Sequence, residues 1–507
     1  MKRFVIISFL LMAVAAASAD DQPKILTPKP AAAPRINGPS TFGVRPWAPF
    51  LYRIPATGDR PMDFSASGLP DWLKLDAATG EITGTVEKKG EHTVILRVRN
   101  ARGTAKRKFR IVVGDQISLT PAMGWNSWNC WGSHVTTEKV LQSARGLVQS
   151  GLIDHGWTYV NIDDAWQGIR GGPFNAIQGN TNFPDMKGLC DEIHGLGLKA
   201  GIYSTPWTTS YANHTGGSSE NEEGEWSPPT ETEKSRPHRN ALPWGIGRYS
   251  FARNDARQWA AWGIDYLKYD WTRNKVPETE EMAGALRDSG RDVIYSLSNS
   301  TPFTNAPELS KFANSWRTTG DIRDTWESMR AKGFSQDRWA RFARPGHWND
   351  PDMLVVGWVG WGEPHPTRLT PDEQYTHISI WCLLSAPLLL GCDLQKMDDF
   401  TFGLLSNDEV LALDQDALGK QATCVAVDGP VLVYAKDLEG GSKAVGLFNL
   451  GPTSLLATAH WSDLKLHGKR MVRDLWRQLD IGRFDDQFDA IVPSHGVVLV
   501  RLDKRRK

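Results

Sequence analysis

The sequence predicts an α/β protein: a (β/α)8 TIM barrel flanked by an N-terminal Ig-like β-sandwich and a C-terminal antiparallel β-sandwich. Three observations carry that prediction. The chain has 507 residues, too long for one ordinary domain. Its middle, about residues 116–418, alternates eight short β-rich runs with amphipathic helical patterns, the rhythm of βα units. On either side, residues 41–115 and 419–507, the texture is alternating apolar and polar with glycine turns every ten residues or so.

The chain begins with MKRFVIISFLLMAVAAASA, a basic start, a short apolar run and small residues at Ala17 and Ala19. That pattern predicts a signal peptide over 1–19 and a secreted or periplasmic mature protein. The apolar run is short for a membrane anchor, and no later stretch is long and apolar enough to span a bilayer. Residues 20–40, rich in proline and alanine, read as a flexible leader. The stretch GLPDWLKLDAATGEITGTVEKKGEHTVILRVRNARG then resembles the Ig domains attached to bacterial exported enzymes, which implies a fold and a spacer or docking role but no activity.

Barrel strands are expected near 122–128, 159–163, 199–204, 266–270, 293–298, 315–319, 347–354 and 388–392. Between them TTEKVLQSARGLVQSG, DMKGLCDEIHGLGLK, FARNDARQWAAWG, DEQYTHISIWCLLSA and SNDEVLALDQD read as helices, several with Thr, Ser or Asp at the start and Gly at the end. A doubly wound sheet is the rival architecture, but no Gly-rich phosphate loop follows any strand. After residue 419, VLVYAKD, KAVGLFNL, KRMVRDLW and HGVVLVRL alternate as strands.

Lys+Arg and Asp+Glu both number 58, so nothing suggests an electrostatic nucleic-acid footprint. Five cysteines are too few for a disulfide scaffold and none clusters with histidine as a metal site, although one disulfide remains open. Tryptophan, at 22 residues, is the outlier; flat rings suit sugar surfaces, although most of them are expected in cores.

The stretch GIDYLKYDW, 263–271, is the centre of the chain. Lys268 and Asp270 stand two apart on a buried strand and must share a face. A salt-bridged pair at a sheet rim explains them as well as a catalytic carboxylate beside a cation. The other strand ends break the tie. The first ends in Trp125-Asn126-Ser127-Trp128, the second in Asp163-Asp164, the third in Tyr203, and the fifth in Ser296 and Ser298. The sixth supplies Arg317 and then Asp321, the seventh Asp350 and Asp352. Polar residues at the carboxyl ends of barrel strands are where this fold builds active sites.

The motifs AMGWNSW, VNIDDAW, GIYS, YLKYD, SWR followed by GDIRDTW, PGHWNDPDMLV and DQDALGKQA, over about 119–425, resemble the glycoside hydrolase family of α-galactosidases and α-N-acetylgalactosaminidases. The resemblance implies Asp270 as nucleophile and Asp321 as general acid/base, with no cofactor and no metal. It implies Trp128, Asp163, Asp164, Tyr203, Lys268, Arg317, Asp352 and Met353 as sugar-binding residues. Asp321 is expected to hold a proton, with burial or the charge of Asp270 raising its pKa. Adjacent carboxylates such as Asp163-Asp164 can also bind a cation, but hard cations need more oxygen ligands than two side chains supply.

Two departures bear on specificity. Trp271 and Thr272 follow the nucleophile and Thr205-Pro206-Trp207 follow the third strand, where the family commonly has cysteines, so its disulfide there is not expected. In its place a long loop, 205–248, carries Trp207, Tyr211, His214, Trp226 and Trp244 and reads as a lid or extra subsite wall. At the fifth strand Ser298, with Thr301 three positions on, stands where the family reads the sugar's 2-substituent. The expected activity is retaining exo-hydrolysis of a terminal α-galactoside. The alternatives are an α-N-acetylgalactosaminidase or other galactose-like glycosidase and, in another class, a non-catalytic carbohydrate-binding protein. An α-galactosyl oligosaccharide or glycan is the expected partner; oligomeric state is left open.

Overall fold

The computed structural model describes residues 23–226 and 245–503. The expected signal peptide, Trp244 and part of the 205–248 loop lie outside the described residues.

Eight parallel strands form the central sheet: β1 (Met123–Asn126), β2 (Tyr159–Asn161), β3 (Lys199–Ser204), β4 (Ile264–Asp270), β5 (Ile294–Ser298), β6 (Ser315–Arg317), β7 (Trp348–Asp350) and β8 (Leu388–Leu390). They are hydrogen-bonded in the order β7-β6-β5-β4-β3-β2-β1-β8. A parallel bridge from Leu354 to Leu390 joins the two ends, so the sheet curls on itself. Every expected strand is present, most of them shorter at the edges than the sequence suggests.

Local signals set the helices between them. Thr136 accepts from the Lys139 amide to start Thr137–Gln149, and Asp185 accepts from Gly188 to start Met186–Gly195. Thr370 and Glu373 form a capping box at the head of Pro371–Leu384. The helix Ala252–Trp262 stops at Gly263, which takes φ +97° and turns the chain directly into β4.

Eleven of the 22 tryptophans are among the largest fully buried side chains, in accord with the core role expected for most of them. Several indole N–H groups tie elements together. Trp381 donates to the Asp352 carbonyl (2.6 Å) and Trp166 to that of Tyr203 (2.8 Å), so core rings hold the backbone of site residues.

The N-terminal sandwich pairs a four-stranded sheet (Thr41–Val44, Gly103–Val113, Gly90–Asn100, Asp63–Ser67) with a three-stranded one (Pro49–Arg53, Glu81–Thr85, Leu73–Leu75) around Phe50, Ile82, Val94, Leu96 and Phe109. A strand at Arg35–Ile36 already belongs to it, earlier than residue 41. It rests on the amino-terminal side of the barrel: Arg45 is bound to Asp292 (3.1 Å), just before β5, and Lys199, the first residue of β3, lies over Phe42. Residues 24–27, expected within a flexible leader, lie on the barrel instead. The Leu26 amide donates to the Tyr375 hydroxyl (2.9 Å), and Thr27 donates to Gly403.

The C-terminal unit is a six-stranded antiparallel sheet faced by the pair Leu455–His460 and Gln487–Val492. Lys436 fastens it to the barrel by donating to the Cys382 and Leu413 carbonyls and the Ser385 hydroxyl. Burial lowers the pKa of that lysine to about 8. All five cysteines are free thiols, so the disulfide left open by the sequence does not form. No helix among the described residues is long and apolar enough to cross a membrane.

Candidate active site

The carboxyl ends of the barrel strands surround a cavity of about 460 Å³. Of the residues expected at the site, Trp128, Asp163, Asp164, Tyr203, Lys268, Asp270, Arg317, Asp321, Asp352 and Met353 all line it. They come from six strands or the loops after them, and strand register explains the gathering. Tyr203 of β3 pairs with Lys268 of β4, Asp270 with Ser298 of β5, and Arg317 of β6 with Asp350 of β7.

Lys268 and Asp270 share the inner face, as their spacing requires, but the lysine's bond is elsewhere. Its ammonium donates to Asp163 (2.8 Å), which also accepts from the Asn126 amide (2.8 Å). Lys268 thus acts on Asp270 through space. Asp270 is 5 % exposed. Burial pushes its pKa up, Lys268 pulls it back, and Asp321 and Asp163 raise it again, leaving it at about 7.

Asp321 behaves the other way. Its side chain is 62 % exposed and accepts from Arg317 at 3.2 Å. Burial would raise its pKa, but the charges of Arg317 and Lys268 outweigh that and hold it below the ordinary carboxylate value. The expectation that Asp321 carries the raised pKa is therefore corrected for the open pocket: the upward shift falls on Asp270. The cause is Arg317, whose partner could not be read from the chain. That guanidinium also pairs with Asp352 (2.8 Å), a buried carboxylate that accepts from the Ile322 and Met353 amides as well.

Asp164 accepts from the amides of Ala165 (2.8 Å) and Ala212 (2.8 Å) and from Gln167 (3.0 Å). Burial raises its pKa in spite of them. With Asp163 engaged by Lys268, these carboxylates face hydrogen-bonding partners. Among the described residues no group of three or more His, Cys, Asp or Glu side chains is placed to hold a metal ion.

Ser298 ends β5 level with Asp270 but is 1 % exposed, and Thr301 is 4 % exposed, bonded to Asn274 (2.7 Å). Neither is among the lining residues; Asn299 is. Its amide donates to Asp270 at 2.7 Å. Asn299 and Ser300 both take left-handed backbone (φ 69° and 51°), which turns Asn299 onto the cavity wall. The turn is held on both sides: Asn274 donates to the Ser298 carbonyl, and the Thr301 amide donates to the Arg317 carbonyl. Strand alternation alone could not show this reversal.

Asn129, Tyr211, Thr272 and Arg323 also line the cavity without having been assigned to it. Tyr211 was legible only as one aromatic of the long loop. Its hydroxyl meets Thr272 at 2.5 Å and its ring stands edge-on to Trp207, so this part of the loop does form a wall.

The alpha galactosidase A profile matches residues 120–223 and 242–416, a profile for the alpha galactosidase C-terminal beta sandwich domain matches 428–502, and an Ig domain profile matches 33–114. The chain is 38% identical over 405 residues to alpha-galactosidase 2 of Arabidopsis thaliana, covering 78% of this chain and 93% of that one. Alpha-galactosidase A of Cellvibrio japonicus is 32% identical, covering 77% and 94%. Among solved structures, a candidate alpha-galactosidase/melibiase of Bacteroides fragilis superposes with a TM-score of 0.83 at 31% identity, over 94% of this chain and 99% of the other. Alpha-galactosidase I of Mortierella vinacea gives 0.64 at 31% identity, over 76% and 97%.

Proposed function

We propose, on the premise that this chain belongs to the alpha galactosidase A family of glycoside hydrolases, that it is a retaining exo-α-galactosidase with Asp270 as nucleophile and Asp321 as general acid/base. The observation that carries this reading is the placement of both carboxylates on one polar cavity at the carboxyl ends of β4 and β6, among groups suited to a hydroxyl-rich ring.

In the first step a carboxylate oxygen of Asp270 bonds to the anomeric carbon as the bond to the leaving oxygen breaks, and Asp321 transfers its proton to that oxygen. In the second, Asp321 takes a proton from water, the water oxygen bonds to the anomeric carbon, and the ester to Asp270 breaks. Asn299 holds one oxygen of Asp270 and leaves the other for attack. Lys268 and Arg317 offset the charge of the buried Asp163, Asp270, Asp350 and Asp352, and Asp163, Asp164 and Asp352 accept from sugar hydroxyls. Trp128, Tyr203 and Met353 wall the ring.

The two carboxyl groups titrate as a pair, and the working state carries one proton between them. With the upper value at about 7, kcat/KM should fall as pH rises through 7 and the last proton leaves. Removing the Asn299 donor disfavours the ionised form of Asp270, so Asn299→Ala should move that limb to higher pH and lower kcat about tenfold. A pH–rate profile checks both; an unmoved limb would mean that Asn299 does not act on the nucleophile.

Initial rates on aryl α-galactoside, aryl α-N-acetylgalactosaminide and aryl β-L-arabinopyranoside test the substrate. Preference for the galactoside is expected, because Ser298 and Thr301, the basis for an acetamido reader, stand off the cavity wall. Silence on all three would favour the binding-protein alternative. Export is proposed from the 1–19 pattern alone; the mature protein should begin at Asp20, and N-terminal sequencing of material recovered outside the cytoplasm decides it.

A further inference from the structure

In the mechanism above, which the present inference rests on, Asp321 hands its proton to the leaving oxygen. The departing group must therefore pass the Asp321 side of the cavity. What stands there is Arg323, two residues on, exposed and lining the same cavity. Its backbone is fixed, since its amide donates to the Ser328 hydroxyl (2.8 Å) and the preceding amide, Ile322, donates to Asp352 (2.7 Å). Its guanidinium has no hydrogen-bond partner among the described residues and lies over the Trp361 indole, its Cζ 4.7 Å from the ring centre.

Trp361 is held there at a conformational cost. It takes φ 52°, uncommon for so bulky a residue, and such strain persists only where neighbours over-determine it. The neighbours are on the cavity wall: Gly360 and Trp361 both donate to the carbonyl of Asn129 (2.8 and 3.0 Å), and Asn129 itself lines the cavity. A Cβ at Gly360 would meet the Glu363 carbonyl at 2.1 Å, so the turn that presents the ring requires glycine before it.

We infer that Arg323 and Trp361 form the seat for the first sugar of the leaving group. A planar cation layered on an indole matches a pyranose face, and the open guanidinium N–H groups meet its hydroxyls.

The test is the ratio of kcat/KM on raffinose to kcat/KM on an aryl α-galactoside, in the full-length protein and in Trp361→Ala and Trp361→Phe. A fall in the ratio of at least about tenfold for alanine and a smaller fall for phenylalanine is the expected result. Equal losses on both substrates would make Trp361 a structural residue and overturn the inference, as would an unchanged ratio. Should the alanine variant not fold, Arg323→Lys, which keeps the charge beside Asp321 but loses the planar fork, is read by the same ratio. Wild-type protein inactive on the aryl galactoside would instead overturn the catalytic reading, and this one with it.

Discussion

Asp270→Asn is expected to abolish turnover, by at least about 10⁴-fold, and at the same time to raise thermal stability. The two effects have one origin. Folding buries this carboxyl and lifts its pKa from 3.8 to about 7, so at neutral and higher pH the native state carries a charge that the unfolded chain holds more cheaply. For an acid whose folded pKa is raised, the penalty is absent below the unfolded value and complete above the folded one. At about 1.4 kcal/mol per unit it amounts to at most about 4 kcal/mol. Asparagine removes the charge and can still accept from Asn299, while Lys268 keeps its bond to Asp163. The gain in melting temperature should therefore be larger at pH 8 than at pH 4. A variant that melts lower than wild type at pH 8 would show that the charge is not a burden on the fold, and one with wild-type turnover would remove Asp270 from the mechanism.

Asp321→Asn is the second large effect, and its size depends on the leaving group. An activated aryl group departs without a proton, so its release should slow modestly, whereas unactivated oligosaccharides should lose about 10²- to 10⁴-fold, the usual contribution of a general acid. The variant also lacks the base that activates water, so the glycosyl ester on Asp270 should accumulate. Azide, which needs no base, should restore turnover and give α-galactosyl azide, because attack on the ester inverts the configuration left by the first displacement. Equal losses for good and poor leaving groups, with no azide effect, would assign Asp321 a binding role instead. The exposure of the carboxyl and its hold by Arg317 suit this dual use. A sugar that covers Asp321 excludes water and raises its pKa, which favours donation. Loss of the Asp270 charge in the ester then lowers it, which favours proton removal from water.

The eight strands were legible because each carries a short β-rich run, and all but the eighth carry polar residues at the carboxyl end. The helices were legible through their caps, Thr136, Asp185 and Thr370. The places of Asp270 and Asp321 on the cavity were legible through motif and position together, since a strand end in this fold is already a place on the site.

The rest depended on contacts between residues far apart in the chain. Lys268 is bound by Asp163, 105 positions away, a partner that its closeness to Asp270 in the sequence does not show. The upward pKa shift falls on Asp270 rather than Asp321, because it is set by burial and by Arg317, neither of which a linear motif contains. Asn299 took the place expected for Ser298 because two left-handed residues reverse the side-chain alternation just past the strand. Arg323 meets Trp361 only because the loops after β6 and β7 close over the same rim. By itself, then, the sequence determined the barrel, its flanking sandwiches and the strand-end positions of the two carboxylates proposed as catalytic, since hydrophobic period and strand-end chemistry are local. Only the tertiary structure decided which charge faces which, and therefore on which carboxyl the upward shift falls, because electrostatic energy depends on distance and burial in space.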